Sequence, residues 1–226
     1  NSLTEDILTE SGLYIKGVLE GTIDTSSTIV LMDYDANYAF WQEDYREKIT
    51  NIIVENSINS SSISNAIQSW DVSFTNGLEN VIAYIEDDGL GTGTYTLHIS
   101  ANGKICAPLD SSNMFRDFVE VSKIDIKGIE FSNTRSMAFM FRGCEKLIDL
   151  DLSSFNTSNV TDMMGMFTGC TSIKNLDLSS FNTSKVGKMH QMFAYCSNLE
   201  TLDLSNFNYD NVSIIYQMFA YDTNLS

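Results

Sequence analysis

Histidine, basic residues and long apolar runs are scarce in this 226-residue sequence, and each shortage weighs against a class of function. Thirteen Lys and Arg stand against 30 Asp and Glu, a net charge of −17. Binding to a nucleic-acid backbone depends on clustered Lys and Arg that neutralise phosphates, and a basic membrane-surface helix needs the same residues. The charge balance argues against both, so no nucleic-acid partner is expected. No run of about 18 apolar residues occurs, so nothing here reads as inserting into a membrane as a helix. Two histidines, His98 and His190, stand at no recognisable metal-ligand spacing. A nucleophile elbow, a phosphate-cradling glycine loop and a paired-carboxylate motif are all missing. No catalytic residue, metal or cofactor is therefore assigned, and the chain is not read as an enzyme.

Repetition is what the sequence has in abundance. The stretch LIDLDLSSFNTSNVTDMMGMFTGC at 147–170 returns as IKNLDLSSFNTSKVGKMHQMFAYC, and Met-Phe pairs fall at 114–115, 140–141, 166–167, 192–193 and 218–219, a constant step of 26 residues. A fixed period of this size marks units that cannot bury their apolar face alone and stack to share one core. Within a unit, Leu147, Leu150, Leu152 and Phe155 follow the L-x-x-L-x-L pattern of a leucine-rich repeat, with the period-two spacing of a short strand. Val160, Met163, Met166 and Phe167 follow at helical spacing, with Thr157, Ser158 or Thr161 placed to cap the start. Each unit is expected to run strand, turn, helix, turn. A degenerate first copy carries Ile124, Ile126, Ile129, Met137 and Met140 in the same slots. Leu225 sits one period after Leu199, just before another strand would begin, so the natural protein is expected to continue beyond this fragment.

Stacking units turns equivalent residues into columns. Cys144, Cys170 and Cys196 share one slot and read as small buried thiols acting as apolar spacers, since a disulfide between two would strand the third. Asp125, Asp151, Asp177 and Asp203 fall between the strand's apolar residues, and alternation points them away from the core. Stacked about 5 Å apart, four carboxylates repel unless water, cations or donors intervene. Ser153, Ser179 and Ser205 run alongside, and Lys123, Asp149, Asn175 and Thr201 form a variable column on the other side. This face is the candidate ligand-binding site, with a solvated ladder and a bound divalent cation as its other readings. Asn156, Asn182 and Asn208 are expected to satisfy turn backbone, and the methionines to fill the core. His190 shares a slot with Ala138, Met164 and Tyr216, which reads as a tolerant, partly exposed position.

The pattern running from Cys144 to Phe167 and again from Cys170 to Phe193 (Cys, LDLSSFNTS, Val, two Met and Phe) resembles the repeat of BspA-like leucine-rich-repeat surface proteins. The upstream stretches FWQEDYREKITNIIVENSI and SWDVSFTNGLENVIAYIEDDGLGTGTYTLHISANGKICAPLDSSNMF resemble the segment preceding such arrays, with GLGTG and the first 35 residues as departures. The resemblance implies a secreted or cell-surface bacterial protein engaged in adhesion or host contact.

Residues 1–105 are read as an N-terminal α+β cap domain and 106–226 as the repeat array. NVIAYIED and TYTLHIS alternate around DGLGTG as a hairpin, KITNIIVEN reads as a strand, ANYAFWQEDYREK as an amphipathic helix and INSSSISN as a polar loop. Asp33, Asp35 and Asn37 sit at calcium-loop spacing, but Tyr38 stands where the turn needs Gly and Asp44 replaces the bidentate Glu. The expected architecture is an α/β leucine-rich-repeat solenoid with strand-turn-helix units behind the cap. Its expected function is a binding or adhesion module presenting the repeat surface to a protein or glycan ligand, host-derived ligands among them. The rivals are a structural spacer and an enzyme-associated module with its site in the N-terminal half.

Overall fold

The computed structural model describes residues 28–30, 43–73 and 81–225; of residues 28–30, 43 and 44 it describes the backbone alone. Among the described residues the architecture is mostly β, with two sheets and two short helices. Alternating apolar residues make β4 (Val81–Asp87) and β5 (Tyr95–Ala101) an antiparallel hairpin, turned by Gly89, Gly91 and Gly93 at φ +68 to +78°. β2 (Ile49–Glu55) lies parallel to β5, and β3 (Gln68–Asp71) lies antiparallel to β4. The same sheet then crosses into the repeats: β2 pairs in parallel with β7 (Lys123–Asp125), and β7 with β9 (Asp149–Leu150). A second parallel sheet joins β1 (Thr28–Val30), β6 (Lys104–Cys106) and β8 (Ile129–Glu130). One continuous apolar core runs from Ile52, Leu97 and Ile99 through the repeats to Met218.

Helix is scarce. Of the expected amphipathic helix at 36–48, the described part is α1 (Glu43–Arg46); Phe40 and Trp41 lie outside the described residues. The polar stretch read as a loop instead forms α2 (Ser60–Asn65), because the Asn59 carboxamide caps the backbone N–H groups of Ser61 and Ser62.

The strand-turn-helix unit of a leucine-rich-repeat solenoid is not what forms. Residues read as the repeat helix are turns, and two columns explain why: Asn113, Phe139, Gly165, Gln191 and Gln217 have φ of +57 to +60°, and Asp117, Gly143, Gly169, Tyr195 and Tyr221 have φ of +60 to +77°. An α-helix needs φ near −63° at every residue. The main chain therefore sends alternate N–H groups out of the unit. Met163, Gly165, Phe167 and Gly169 donate to the carbonyls of Lys188, His190, Met192 and Ala194 in the following unit, at 2.9–3.0 Å. The N–H groups between them bond locally, as in Met166 to Met163. A rail of parallel bridges, Asp110–Ser136–Asp162–Lys188–Ile214, joins the five successive units, which we call coils.

The expected repeat strand is equally reduced. It pairs over three residues at β2–β7, over two at β7–β9, and as the single bridge Asn175–Thr201 farther on. Side-chain columns hold the interior instead. Phe115, Phe141, Phe167, Phe193 and Phe219 stack with centroids 5.5–5.7 Å apart. Phe131, Phe155, Phe181 and Phe207 form a second stack. Met137, Met140, Met163, Met166, Met189 and Met192 are fully buried between them.

Candidate functional site

The candidate face is built where the sheet passes from the N-terminal strands into the coils. Cross-strand register aligns Glu86, Thr96, Asn51, Lys123 and Asp149 in one row. Asn175 and Thr201 continue it, and the Thr201 hydroxyl donates to Asn175 Oδ1 at 2.8 Å. A second row runs Tyr84, His98, Ile53 and Asp125. The 26-residue step then carries it to Asp151, Asp177 and Asp203. The candidate columns are thus continuous with a polar face of the N-terminal sheet.

Each carboxylate of the aspartate column has a local donor. Asp151, Asp177 and Asp203 accept from the backbone N–H of Ser153, Ser179 and Ser205 at 2.8–2.9 Å, and Asp125 from that of Lys127 at 3.4 Å. These are tight turns closed by the side chain, the local competition with regular structure that Asp favours. The serines of the candidate site therefore contribute main-chain donors to the aspartates. Lys127 Nζ lies 2.8 Å from Asp151, and with Ser153 it holds that carboxyl well below the ordinary carboxylate range. Asp177 is lowered by the side chain and backbone of Ser179, and Asp203 by the backbone and side chain of Ser205. Lys123 pairs with Asp149 at 2.9 Å. The face thus has one end where carboxylates meet ammonium groups and another where Asp177 and Asp203 are exposed acceptors held by serine alone.

Sequence reasoning missed a polar cluster on the same face. Glu55 Oε2 accepts from the Tyr84 hydroxyl at 3.0 Å and from Ser100 Oγ at 2.6 Å. His98 stacks on the Tyr84 ring, 4.6 Å between centroids and 7° from parallel. Its Nδ1 lies 3.4 Å from Glu55 Oε1, without hydrogen-bond geometry, and its Nε2 lies 3.8 Å from Glu86 Oε2. Burial, then Glu55, pushes the Tyr84 hydroxyl up to about 12. Period-two alternation along the hairpin was the available signal, since it puts Tyr84 and Glu86 on one face with His98 and Ser100. The register with Glu55 was not available from pattern.

His190 is buried rather than partly exposed, at 8% accessibility; it stacks on Tyr216 at 5.0 Å, and its Nδ1 is enclosed without a partner. Cys144, Cys170 and Cys196 are buried free thiols. Asn156, Asn182 and Asn208 accept from the N–H groups of Ser158, Ser184 and Asp210, closing the turn after each core Phe. The calcium-like loop at Asp33, Asp35 and Asn37 lies outside the described residues, as does the side chain of Asp44. Among the described residues no group of three or more His, Cys, Asp and Glu is placed to hold a metal ion. A cleft of about 330 Å³ lies beside the face, lined by Asn56, Lys104, Lys127, Glu130 and Ser154 among others. Both of its ammonium groups are engaged, Lys104 by Glu130 at 2.6 Å and Lys127 by Asp151.

The chain belongs to the family described as "Mycoplasma protein of unknown function, DUF285", whose model matches residues 109–226. The matched span covers all five Met-Phe coils. No curated protein and no solved structure matches the chain.

Proposed function

We propose that this member of the DUF285 family is a secreted or cell-surface binding module that presents its repeat face to a protein or glycan ligand, host-derived ligands among them. The observation that carries the reading is the separation of scaffold from surface. Main-chain bonds between coils and the buried Phe, Met and Cys columns set the spacing. Meanwhile Lys123, Asp149, Asn175 and Thr201 occupy one exposed column with four different side chains. Such a surface can change chemistry without disturbing the core. The exposed acceptors Asp177 and Asp203 suit hydroxyl, amide or ammonium donors, the groups that glycans and peptides offer.

The test is binding of the protein to a panel of extracellular-matrix proteins and mucin glycans, with and without calcium, beside a variant carrying Asp151→Asn, Asp177→Asn and Asp203→Asn. Selective binding that a folded variant loses supports the reading. Binding by neither protein sinks it and favours a spacer role.

A further inference from the structure

The regular stacking of coils is interrupted at the cleft beside the repeat face. Its lining includes the links that carry the chain from one sheet to the other, Gly103 before β6 and Lys127 and Gly128 between β7 and β8. Gly128 shares a slot with Ser154, Ser180 and Asn206. In the later coils that slot ties the corner to the coil before it: Ser180 Oγ donates to the Leu152 carbonyl at 2.8 Å, and Asn206 Nδ2 to the Leu178 carbonyl at 3.0 Å. At the cleft the tie is missing. Gly128 has no side chain, and a Cβ there would lie 2.6 Å from Val54 Cγ1 and 3.1 Å from Asn56 Oδ1, so the end of β2 takes that space. Among the described residues no hydrogen bond engages the exposed Ser154 hydroxyl or the exposed Asn56 carboxamide.

The walls of the cleft are polar, and their charges are compensated. Lys104 pairs with Glu130 at 2.6 Å and Lys127 with Asp151 at 2.8 Å. An anion therefore meets no unpaired ammonium, in a chain whose net charge of −17 already opposes it. A cation meets a Glu130 carboxylate that Lys104 neutralises. An apolar ligand or a peptide side chain finds no surface to cover, because Ile129, the apolar side chain of the lining, is 2% exposed. What the cleft does offer is a carboxamide and a hydroxyl, each able to donate and accept, beside two ammonium groups with donors beyond the one that each ion pair uses. Its volume of about 330 Å³ falls at the small end of ligand sites, which run to about 300–1,000 Å³.

We propose that this cleft is a binding site for a neutral sugar, with Asn56, Ser154, Lys104 and Lys127 as the groups that hold its hydroxyls. A sugar ring is uncharged and carries hydroxyls that donate and accept together, which is the chemistry that compensated charge, a free carboxamide and a free hydroxyl select. The proposal goes beyond the reading above, since it stands on the cleft alone and holds whether or not the aspartate column binds a ligand.

The test is amide NMR of the whole chain titrated with galactose, mannose and N-acetylglucosamine, with glucuronic acid and glucosamine as the anionic and cationic arms. At least one neutral sugar should shift the amides of Gly103, Lys104, Gly128 and Ser154 in a saturable way, and bind more tightly than either charged arm. Asn56→Ala, and Ser154→Tyr, which fills the cleft from an exposed position, should each weaken that binding by roughly fivefold or more with the thermal midpoint unchanged. The pair Asp177→Asn and Asp203→Asn, which leaves Asp151 and its Lys127 intact, should not change it. The absence of saturable shifts with every neutral sugar overturns the proposal, as does tighter binding of a charged arm or parental affinity in both cleft variants. Loss of sugar binding in the aspartate pair alone also overturns it, and leaves the repeat-face reading standing.

Discussion

The thiol of Cys170 donates to the backbone carbonyl of Phe141, one coil earlier, at 3.1 Å. Cys144 does the same to Phe115 and Cys196 to Phe167, both at 3.1 Å. The column read from sequence as a set of apolar spacers also stitches each coil to the one before it. Burial pushes the Cys170 thiol well above its ordinary value.

Replacing Cys170 by Ala therefore removes a buried contact and a cross-coil bond together. We expect a loss of about 1–3 kcal/mol in urea unfolding. The native protein should resist iodoacetamide at mildly alkaline pH, with Cys170 reacting only through unfolding. Labelling of native Cys170 at the rate of an exposed thiol would show that the column is not closed.

Gly165 and Gln191 hold the same left-handed conformation, at φ +58° and +57°. A Cβ at Gly165 would run into the Phe139 ring as well as straining the backbone. Gly165→Ala is expected to destabilise by roughly 1–3 kcal/mol, whereas Gln191→Gly should be neutral or gain up to about 1 kcal/mol. Thermal unfolding of the two variants checks the sign, and equal losses would mean that the backbone is not strained at Gln191.

At Asp177 the acceptor matters more than the charge. Asp177→Asn keeps an oxygen for the Ser179 N–H, so its melting temperature should stay close to that of the parent. Asp177→Ala leaves that turn unclosed and should lower the melting temperature measurably. If Asn and Ala lose equally, the carboxylate is held by charge rather than by the turn.

Asp222 occupies the slot of the cysteine column in the last coil. Its Oδ1 accepts from Cys196 N–H at 2.8 Å, and its Oδ2 is enclosed without a partner. Burial pushes this carboxyl up from 3.8 to about 6. The folded state therefore binds the proton more tightly than the unfolded chain, so its contribution is full below the unfolded value and is lost as pH rises from about 4 to about 6. The aspartate column acts in the opposite sense: Asp151, Asp177 and Asp203 are lowered, so their contribution is present above 3.8 and is lost as pH falls through their lowered values. The stability difference between Asp222→Asn and the parent should change between about pH 4 and 6 and be flat above that range. A difference independent of pH would mean that Asp222 titrates normally.

Two parts of the fold were legible in the sequence. The hairpin of β4 and β5 followed from alternation around a glycine-rich turn, which needs only neighbours in sequence. Burial of Met163, Met166 and Phe167 followed from the repeat, because a residue facing two identical neighbours is enclosed by them. The helix expected over the same residues did not form. Spacing of three and four is shared by an α-helix and by a coil that turns left-handed at two residues four apart, and Gly143, Gly165 and Gly169, with Asn113 and Asp117, were the local hints. At the site, the aspartate and serine columns were visible as columns. Their local bonding and the Glu55, Tyr84, His98 and Ser100 cluster depended on which strand lay beside which.

The 26-residue period by itself determined which side chains lie in register, and so composed the Phe, Met, Cys and Asp columns. Only the tertiary structure decided the backbone that carries them. Left-handed residues cost energy in an isolated chain, and in the first four coils their N–H groups are satisfied by carbonyls one coil away rather than within the segment. The same long-range pairing set Lys123 beside Asn51 and joined the repeat face to the N-terminal sheet. Both choices rest on hydrogen bonds between residues far apart in sequence, to which local spacing is blind.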